Sequence, residues 1–263
     1  GEVLALNVAR VPPQLSLGEG RMFLREGRGY LETLIEQARA LDVPVHTLIR
    51  LSRDVAEAIR KTAVENGSDL IVMGWPWDKG ARSKLYGSHL DSIVADPPVH
   101  IAVVRYRAQR PLRSILVPVA GGPNARRGAW MALSMARAEE EPVQITLMHV
   151  VPPGTCGGSM ASAQKTLGRV LENETYEHLH RICVEGTDVV ETVLKEAEKH
   201  DLIIIGASEE PLFRNLLMGN VAEEIAKRAP VSVIIVKRRR ARIHSFLRQT
   251  VFGTASTSES GAQ

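Results

Sequence analysis

The chain alternates short apolar runs with longer stretches in which apolar residues recur every three or four positions. In its second half "SILVPVA", "VQITLMHVV", "EHLHRICV", "LIIIG" and "VSVIIVK" place apolar side chains on neighbouring positions. Both faces of such a strand are dry, as in parallel strands covered by helices on either side. Between them "ARRGAWMALSMARA", "DVVETVLKEAEKH" and "NVAEEIAKRA" have helical spacing, and a mixed segment runs from Ser159 to Leu171. The order strand, helix, strand, helix predicts an α/β fold with a doubly wound parallel sheet.

The same plan occurs twice. "DVAEAIRKTAVENGSDLIVMGW" from Asp54 answers to "DVVETVLKEAEKHDLIIIGA" from Asp188. From Gly74 and Gly206 onward the copies run without a gap: Arg82 with Arg214, Leu85 with Leu217, Gly87 with Gly219, Ile93 with Ile225, Pro98 with Pro230, Val104 with Val236. Registered matching of this kind marks a duplication. Asp54 with Glu57, and Asp188 with Glu191, have the spacing of a capping box, so these acids are read as helix caps and not as catalysts.

In the first copy "EVLALNVARV" corresponds to "VQITLMHVV". A helix from Arg21 to Leu41, the strand "VPVHTLIRL", a helix from Asp54 to Asn66, the strand "DLIVMG", a helix from Ser88 and the strand "HIAVVR" follow. The counterparts of "SILVPVA" and its helix are missing from this order. We therefore expect a gap in the sheet beside "EVLALNV", and expect either that the chain is a fragment whose missing strand and helix lie upstream in a parent protein or that the first copy is distorted. The expected organisation is a truncated first domain at 1–108, a second at 109–237, and a tail at 238–263.

Composition narrows the partners. The 263 residues carry a net charge of only +3, with 44% hydrophobic and 24% charged residues, which fits a soluble globular protein and gives no reason to expect nucleic acid. The basic excess is local, in "KRRRARIHSFLRQ". There Ile243, Phe246, Leu247 and Val251 recur at helical spacing beside Arg238, Arg239, Arg240, Arg242 and Arg248. Such a helix either rests on an anionic membrane surface or docks on its own domain. Beyond it "GTASTSESGAQ" has the composition of a disordered tail. Cys156 and Cys183 form neither a metal spacing nor a disulfide framework, so a reducing, cytoplasmic compartment is expected. No apolar run reaches the ~20 residues needed to span a bilayer, and no signal sequence is visible. His178 and His180 share one face of a strand but lack a third ligand, so they are read as a surface pair and no metal is expected. "GGPNARRG" resembles a phosphate turn and is equally a turn before a helix. No arrangement proposes a nucleophile or a paired-carboxylate centre, so no catalytic residue and no enzymatic activity are expected.

The spacing "G-x2-G-x9-G-[ST]" before a helix, then Pro and a final strand, resembles the universal stress protein family in its tandem form, over nearly all of Val3 to Lys237. The resemblance implies a strand order of 3-2-1-4-5 in each copy. It also implies ATP or a related nucleotide at the carboxyl ends of the strands, where glycines admit the phosphates to backbone N–H groups and a helix N-terminus. Carried over by position, Gly74, Gly87 and Ser88 match in the first copy, with Trp77 on the second glycine. In the second copy Gly206 and Gly219 match, with Glu209 on the second glycine and Asn220 on the hydroxyl. Family members that bind ATP carry an acid after the first strand, where this chain has Ala120. A carboxylate about 4 Å from a phosphate charge costs on the order of 4 kcal/mol at an effective dielectric near 20, roughly a thousandfold in affinity. With Glu209 and Glu210 both near, the second copy is read as a poor polyphosphate binder. The first copy offers Lys79, Arg82, Lys84 and an extra glycine, Gly80; its basic residues either meet ATP, AMP or a cyclic dinucleotide or form a solvated loop. The candidate nucleotide residues are thus Gly74, Arg82, Lys84, Gly87, Ser88, Gly206, Gly219 and Asn220.

"ARVPPQL", "DVPVHTLIRL" and "RDVAEAI" are also similar to cytosolic tails of bacterial amino-acid permeases of the amino acid-polyamine-organocation superfamily. That resemblance implies a regulatory or assembly module on the cytosolic face of the inner membrane. Its two copies would pair with each other through "HIAVVR" and "VSVIIVK" and bias an attached transporter. The alternative is a stand-alone tandem protein, as a monomer or a homodimer, that senses a nucleotide in its first copy.

Overall fold

The computed structural model describes residues 1–16, 18–75, 88–107, 111–155, 165–172, 174–207 and 220–239. In the first copy these form β1 (Val3–Arg10), a 3-10 turn (Glu19–Phe23), α1 (Leu24–Ala40), β2 (Val45–Ser52), α2 (Val55–Glu65), β3 (Leu70–Gly74), α3 (Ser88–Ala95) and β4 (His100–Arg105). In the second they form β5 (Ser114–Pro118), α4 (Gly122–Ala138), β6 (Gln144–Val151), β7 (Leu179–Glu185), α5 (Val189–Ala197), β8 (Leu202–Gly206), α6 (Asn220–Arg228) and β9 (Ser232–Lys237). Both predicted caps are present. Asp54 accepts from the Glu57 amide at 3.0 Å, and Asp188 accepts from Val190 and Glu191 at 2.8 and 3.1 Å. The predicted helix at Arg21 divides: its first residues are 3-10 and the α-helix begins at Leu24.

Seven strands make one sheet in the order β3-β4-β9-β8-β5-β6-β7. Within it β7-β6-β5-β8-β9 is the second copy in the expected order 3-2-1-4-5, with every neighbouring pair parallel. The copies meet through their last strands. β4 and β9 run antiparallel from Ile101 opposite Lys237 to Arg105 opposite Val233. Further bonds cross this seam: Arg107 N–H donates to Ser232 Oγ at 3.1 Å, Arg239 N–H to His100 Nδ1 at 3.1 Å, and the buried Arg105 guanidinium to the Ala229 carbonyl at 3.3 Å. Burial, with Arg107 adding to it, brings the Arg105 pKa down to about 10.

The sheet has two dry faces. One packs Leu116, Met148, Ile203, Val233, Ile235, Ile101 and Val103 with α2, α3, α5 and α6. The other packs Ile115, Val117, Ile145, Leu147, Ile204 and Val236 with α4 and with Leu167, Val170 and Leu171. A residue on an alternate strand position always meets a helix in the second copy, which is why its apolar runs are unbroken. The first copy is different. β1 and β2 form a separate two-stranded sheet, and β3 stands at the edge of the large one, as expected where the first strand is absent. Among the described residues no helix is long and apolar enough to cross a membrane.

Candidate functional site

In the second copy the strand order reverses at β5, with β6 on one side and β8 on the other. The crevice at the carboxyl ends of these strands is where an open α/β sheet receives ligands. The exit of β5 is held by the Val119 amide on the Met148 carbonyl at 2.8 Å and by His149 Nδ1 against the Val119 carbonyl at 2.6 Å. The chain then turns through Gly121 and Gly122 at φ 91° and 83°, a region L side chains avoid, and enters α4 with Pro123 in its first turn. Ala120 is exposed here, so no acid faces the crevice from this loop.

The first turn of α4 sits directly on the end of β8. A Cβ on Gly206 would lie 2.5 Å from Asn124 C and Ala125 N, so this glycine is required for helix–strand contact whatever else it does. Asn124 is 5% exposed and completes the junction. Its Nδ2 donates to the Ala207 carbonyl at 2.7 Å, and its Oδ1 accepts from the Arg238 amide at 2.9 Å. One side chain thus ties the start of α4 to the exits of both β8 and β9. Asn124→Ala is expected to destabilise the chain by about 2 kcal/mol in urea unfolding, because it strips the partner from a buried carbonyl. Asn124→Asp is expected to lose as much, since it turns an acceptor toward that carbonyl.

The candidate nucleotide residues fall into three groups. Gly74 ends β3 as Gly206 ends β8, and the following amides make the same bond: Trp75 to Val104 and Ala207 to Val236, both at 2.8 Å. Ser88 and Asn220 are the first residues of α3 and α6. Arg82, Lys84, Gly87 and Gly219 lie outside the described residues, as do Trp77, Lys79, Gly80, Glu209, Glu210 and the tail beyond Arg239. The structure therefore locates the two ends of each glycine-rich stretch. The surroundings of the two glycines differ: a Cβ on Gly74 would meet nothing within 4 Å.

Three residues near this end of the sheet escape a reading by motif. Asn124 and His149 act through backbone groups, and only the Gly-Gly-Pro turn hints at the first. Glu223 is fully buried in the first turn of α6, where the helix dipole favours an acid. Its place within the apolar stripe of "NVAEEIA" is the signal for it. His178 is half-buried and edge-on to Tyr176 with ring centroids 5.9 Å apart, while His180 is exposed on β7, the edge strand. No group of three or more His, Cys, Asp or Glu able to hold a metal occurs among the described residues. Away from the crevice, burial and then Arg127 push the His100 pKa below its ordinary value.

The family model described as "Universal stress protein family" matches residues 1–105 and 111–237. The Na(+)/H(+) antiporter NhaS5 of Synechocystis sp. is 26% identical over 239 residues, which is 89% of this chain and 34% of the antiporter. The chain thus spans about a third of the length of that curated relative. A universal stress protein from Archaeoglobus fulgidus has a similar structure, with a TM-score of 0.65 at 18% identity, covering 90% of this chain and 86% of that one. A putative universal stress protein from Pseudomonas aeruginosa gives a TM-score of 0.58 at 18% identity, covering 90% and 93%.

Proposed function

The chain belongs to the universal stress protein family, and on that premise we propose that it is a non-catalytic regulatory or assembly module attached to a membrane transporter, with degenerate nucleotide sites. The observation that carries this reading is the likeness to NhaS5, which runs through 89% of the chain yet occupies only 34% of the antiporter. A match of that shape is what a module within a larger transporter produces. Both the antiporter and the amino-acid permeases that the sequence resembles are transporters. The antiporter likeness extends over both copies, so a cation/proton exchanger is the transporter class we favour. The module lies on the cytosolic face, and the basic residues from Arg238 onward rest against anionic lipid.

The degenerate site supports a structural role for the second copy. In the sequence Glu209 and Glu210 fall within the stretch that the family uses for phosphates, the buried Glu223 follows in the first turn of α6, and Ala120 stands where ATP-binding members have an acid. The sheet is nonetheless kept, because β9 pairs with β4 and holds the two copies together. A second reading is a stand-alone nucleotide sensor. Lys79, Arg82 and Lys84 in the first copy favour it, with ATP, AMP or a cyclic dinucleotide as ligand.

Membrane fractionation of the whole natural polypeptide separates the two. A transporter module remains in the pellet through both high-salt and alkaline washes. Release of the entire polypeptide into the supernatant overturns the transporter reading in favour of the sensor.

A further inference from the structure

The two ends of the β4–β9 seam make the same bond with different groups. At one end the Arg107 amide donates to Ser232 Oγ, and at the other its repeat, the Arg239 amide, donates to His100 Nδ1, both at 3.1 Å. Ser232 and His100 are themselves repeats, as are Tyr106 and Arg238. A hydroxyl therefore suffices for the bond, and the seam asks for neither the histidine nor Arg238 at its second end.

That second end gathers cations from two elements. Asn124 Oδ1, in the first turn of α4, accepts from the Arg238 amide at 2.9 Å and so sets the exit of β9 beside the helix. Arg127 follows Asn124 by three residues, hence on the same face of α4, and is half-buried. His100, where β4 begins, feels all three arginines. Burial first, then Arg127, and less strongly Arg238 and Arg239, hold its pKa below the ordinary value, while Asp69 opposes them. Because a backbone amide only donates, Nδ1 is the acceptor, so the ring is neutral and Nε2 carries the proton. Among the groups that act on His100, three guanidiniums thus stand against the carboxylate of Asp69. Like charges gathered around one ring repel one another, and an anion among them relieves that repulsion. β8 separates this end of the seam from β5 and the crevice.

We propose that His100, Arg127, Arg238 and Arg239 form a binding site for a phosphate monoester at the seam. Guanidinium forks pair with phosphate oxygens two at a time, and the neutral Nε2–H adds a donor without a further charge. A carboxylate has too few oxygens and too little charge for three arginines. The chemistry is the same whether the phosphate belongs to a solute or to a lipid headgroup. The site does not depend on attachment to a transporter, and it uses no residue of the glycine-rich stretches.

Titration of inorganic phosphate into the isotope-labelled chain, followed by NMR, tests it. The amide signals of His100 and Arg239 are expected to shift, and the His100 pKa to rise toward its ordinary value as the arginine charges are neutralised. Arg127→Gln is expected to weaken binding at least about tenfold, and Arg127→Lys, which keeps the charge but not the fork, to restore only part of it. Arg126→Gln removes the same charge from an exposed neighbour on α4 and should leave binding unchanged. Flotation with vesicles then identifies the source. Flotation that depends on Arg127 with phosphatidic acid, a monoester, and not with phosphatidylserine, a diester, assigns a lipid headgroup; flotation indifferent to Arg127 assigns a solute. Shifts confined to Gly121, Gly122 and Gly206 would place the anion in the crevice and overturn the proposal. So would the absence of any shift, or equal losses in Arg126→Gln and Arg127→Gln, which diffuse attraction produces.

Discussion

Gly206→Ala is expected to destabilise the chain by about 3 kcal/mol or more, while Gly74→Ala changes its stability by less than about 1 kcal/mol. The two glycines share a repeat position, a strand end and the hydrogen bond that follows, so local propensity predicts equal effects. The difference lies in what faces them. At Gly206 the added methyl would overlap the backbone of Asn124 and Ala125 at 2.5 Å. Backbone cannot rotate aside as a side chain can, so α4 must move off β8 and open the packing of Gly128 on Ile204. At Gly74 the methyl enters open space, and the reduced freedom of the unfolded chain even favours alanine. Urea unfolding with unchanged slope measures both values. Equal losses would mean that the glycines serve the strand ends and not the helix.

Val103→Asp is expected to abolish the folded state of both copies together. Val103 and its cross-strand partner Ile235 are both fully buried at the β4–β9 seam, surrounded by Ile101, Ile203 and Val233. Arg105, already engaged by the Ala229 carbonyl, and Lys237 lie two residues along the same strand faces, yet an ionised carboxylate at this fully buried position still costs several kcal/mol, comparable with the whole stability of a domain. Because the seam is part of one seven-stranded sheet, the loss is not confined to the first copy. Circular dichroism should show a single transition in the parent chain and none in the variant. Two separate transitions, with only one removed by the substitution, would show that the copies fold as independent bodies.

The fold was legible in the sequence because each of its determinants is local. Unbroken apolar runs such as "LIIIG" identify doubly covered strands, and the Asp54 and Asp188 caps fix where α2 and α5 begin. The gapless register from Gly74 and Gly206 fixed the repeat, and the repeat in turn exposed the missing strand. Pairing of the copies through their final strands was expected, and the structure adds that these strands run antiparallel. The helix at Arg21 was drawn too early because helical spacing does not separate a 3-10 turn from an α-helix. The junction at Asn124 was not legible: its partners, Ala207 and Arg238, are 83 and 114 residues away and are engaged through backbone atoms, which carry no sequence signal. Glu223 was missed because an acid in the first turn of a helix is ordinarily solvated, although its place in the apolar stripe of "NVAEEIA" marks it as buried. Gly206 was assigned to phosphate from its motif, while the structure adds a packing role that the same residue type satisfies.

On the proposed reading the second copy keeps the sheet and has lost the phosphate site. Titration of labelled ATP into the native chain and its Glu209→Gly and Lys84→Ala variants tests it most directly. The account predicts weak binding to the native chain, tightening toward a thousandfold in Glu209→Gly as one carboxylate is removed, and no dependence on Lys84. Tight binding to the native chain that is unchanged by Glu209→Gly and lost in Lys84→Ala would contradict it and place a working nucleotide site in the first copy.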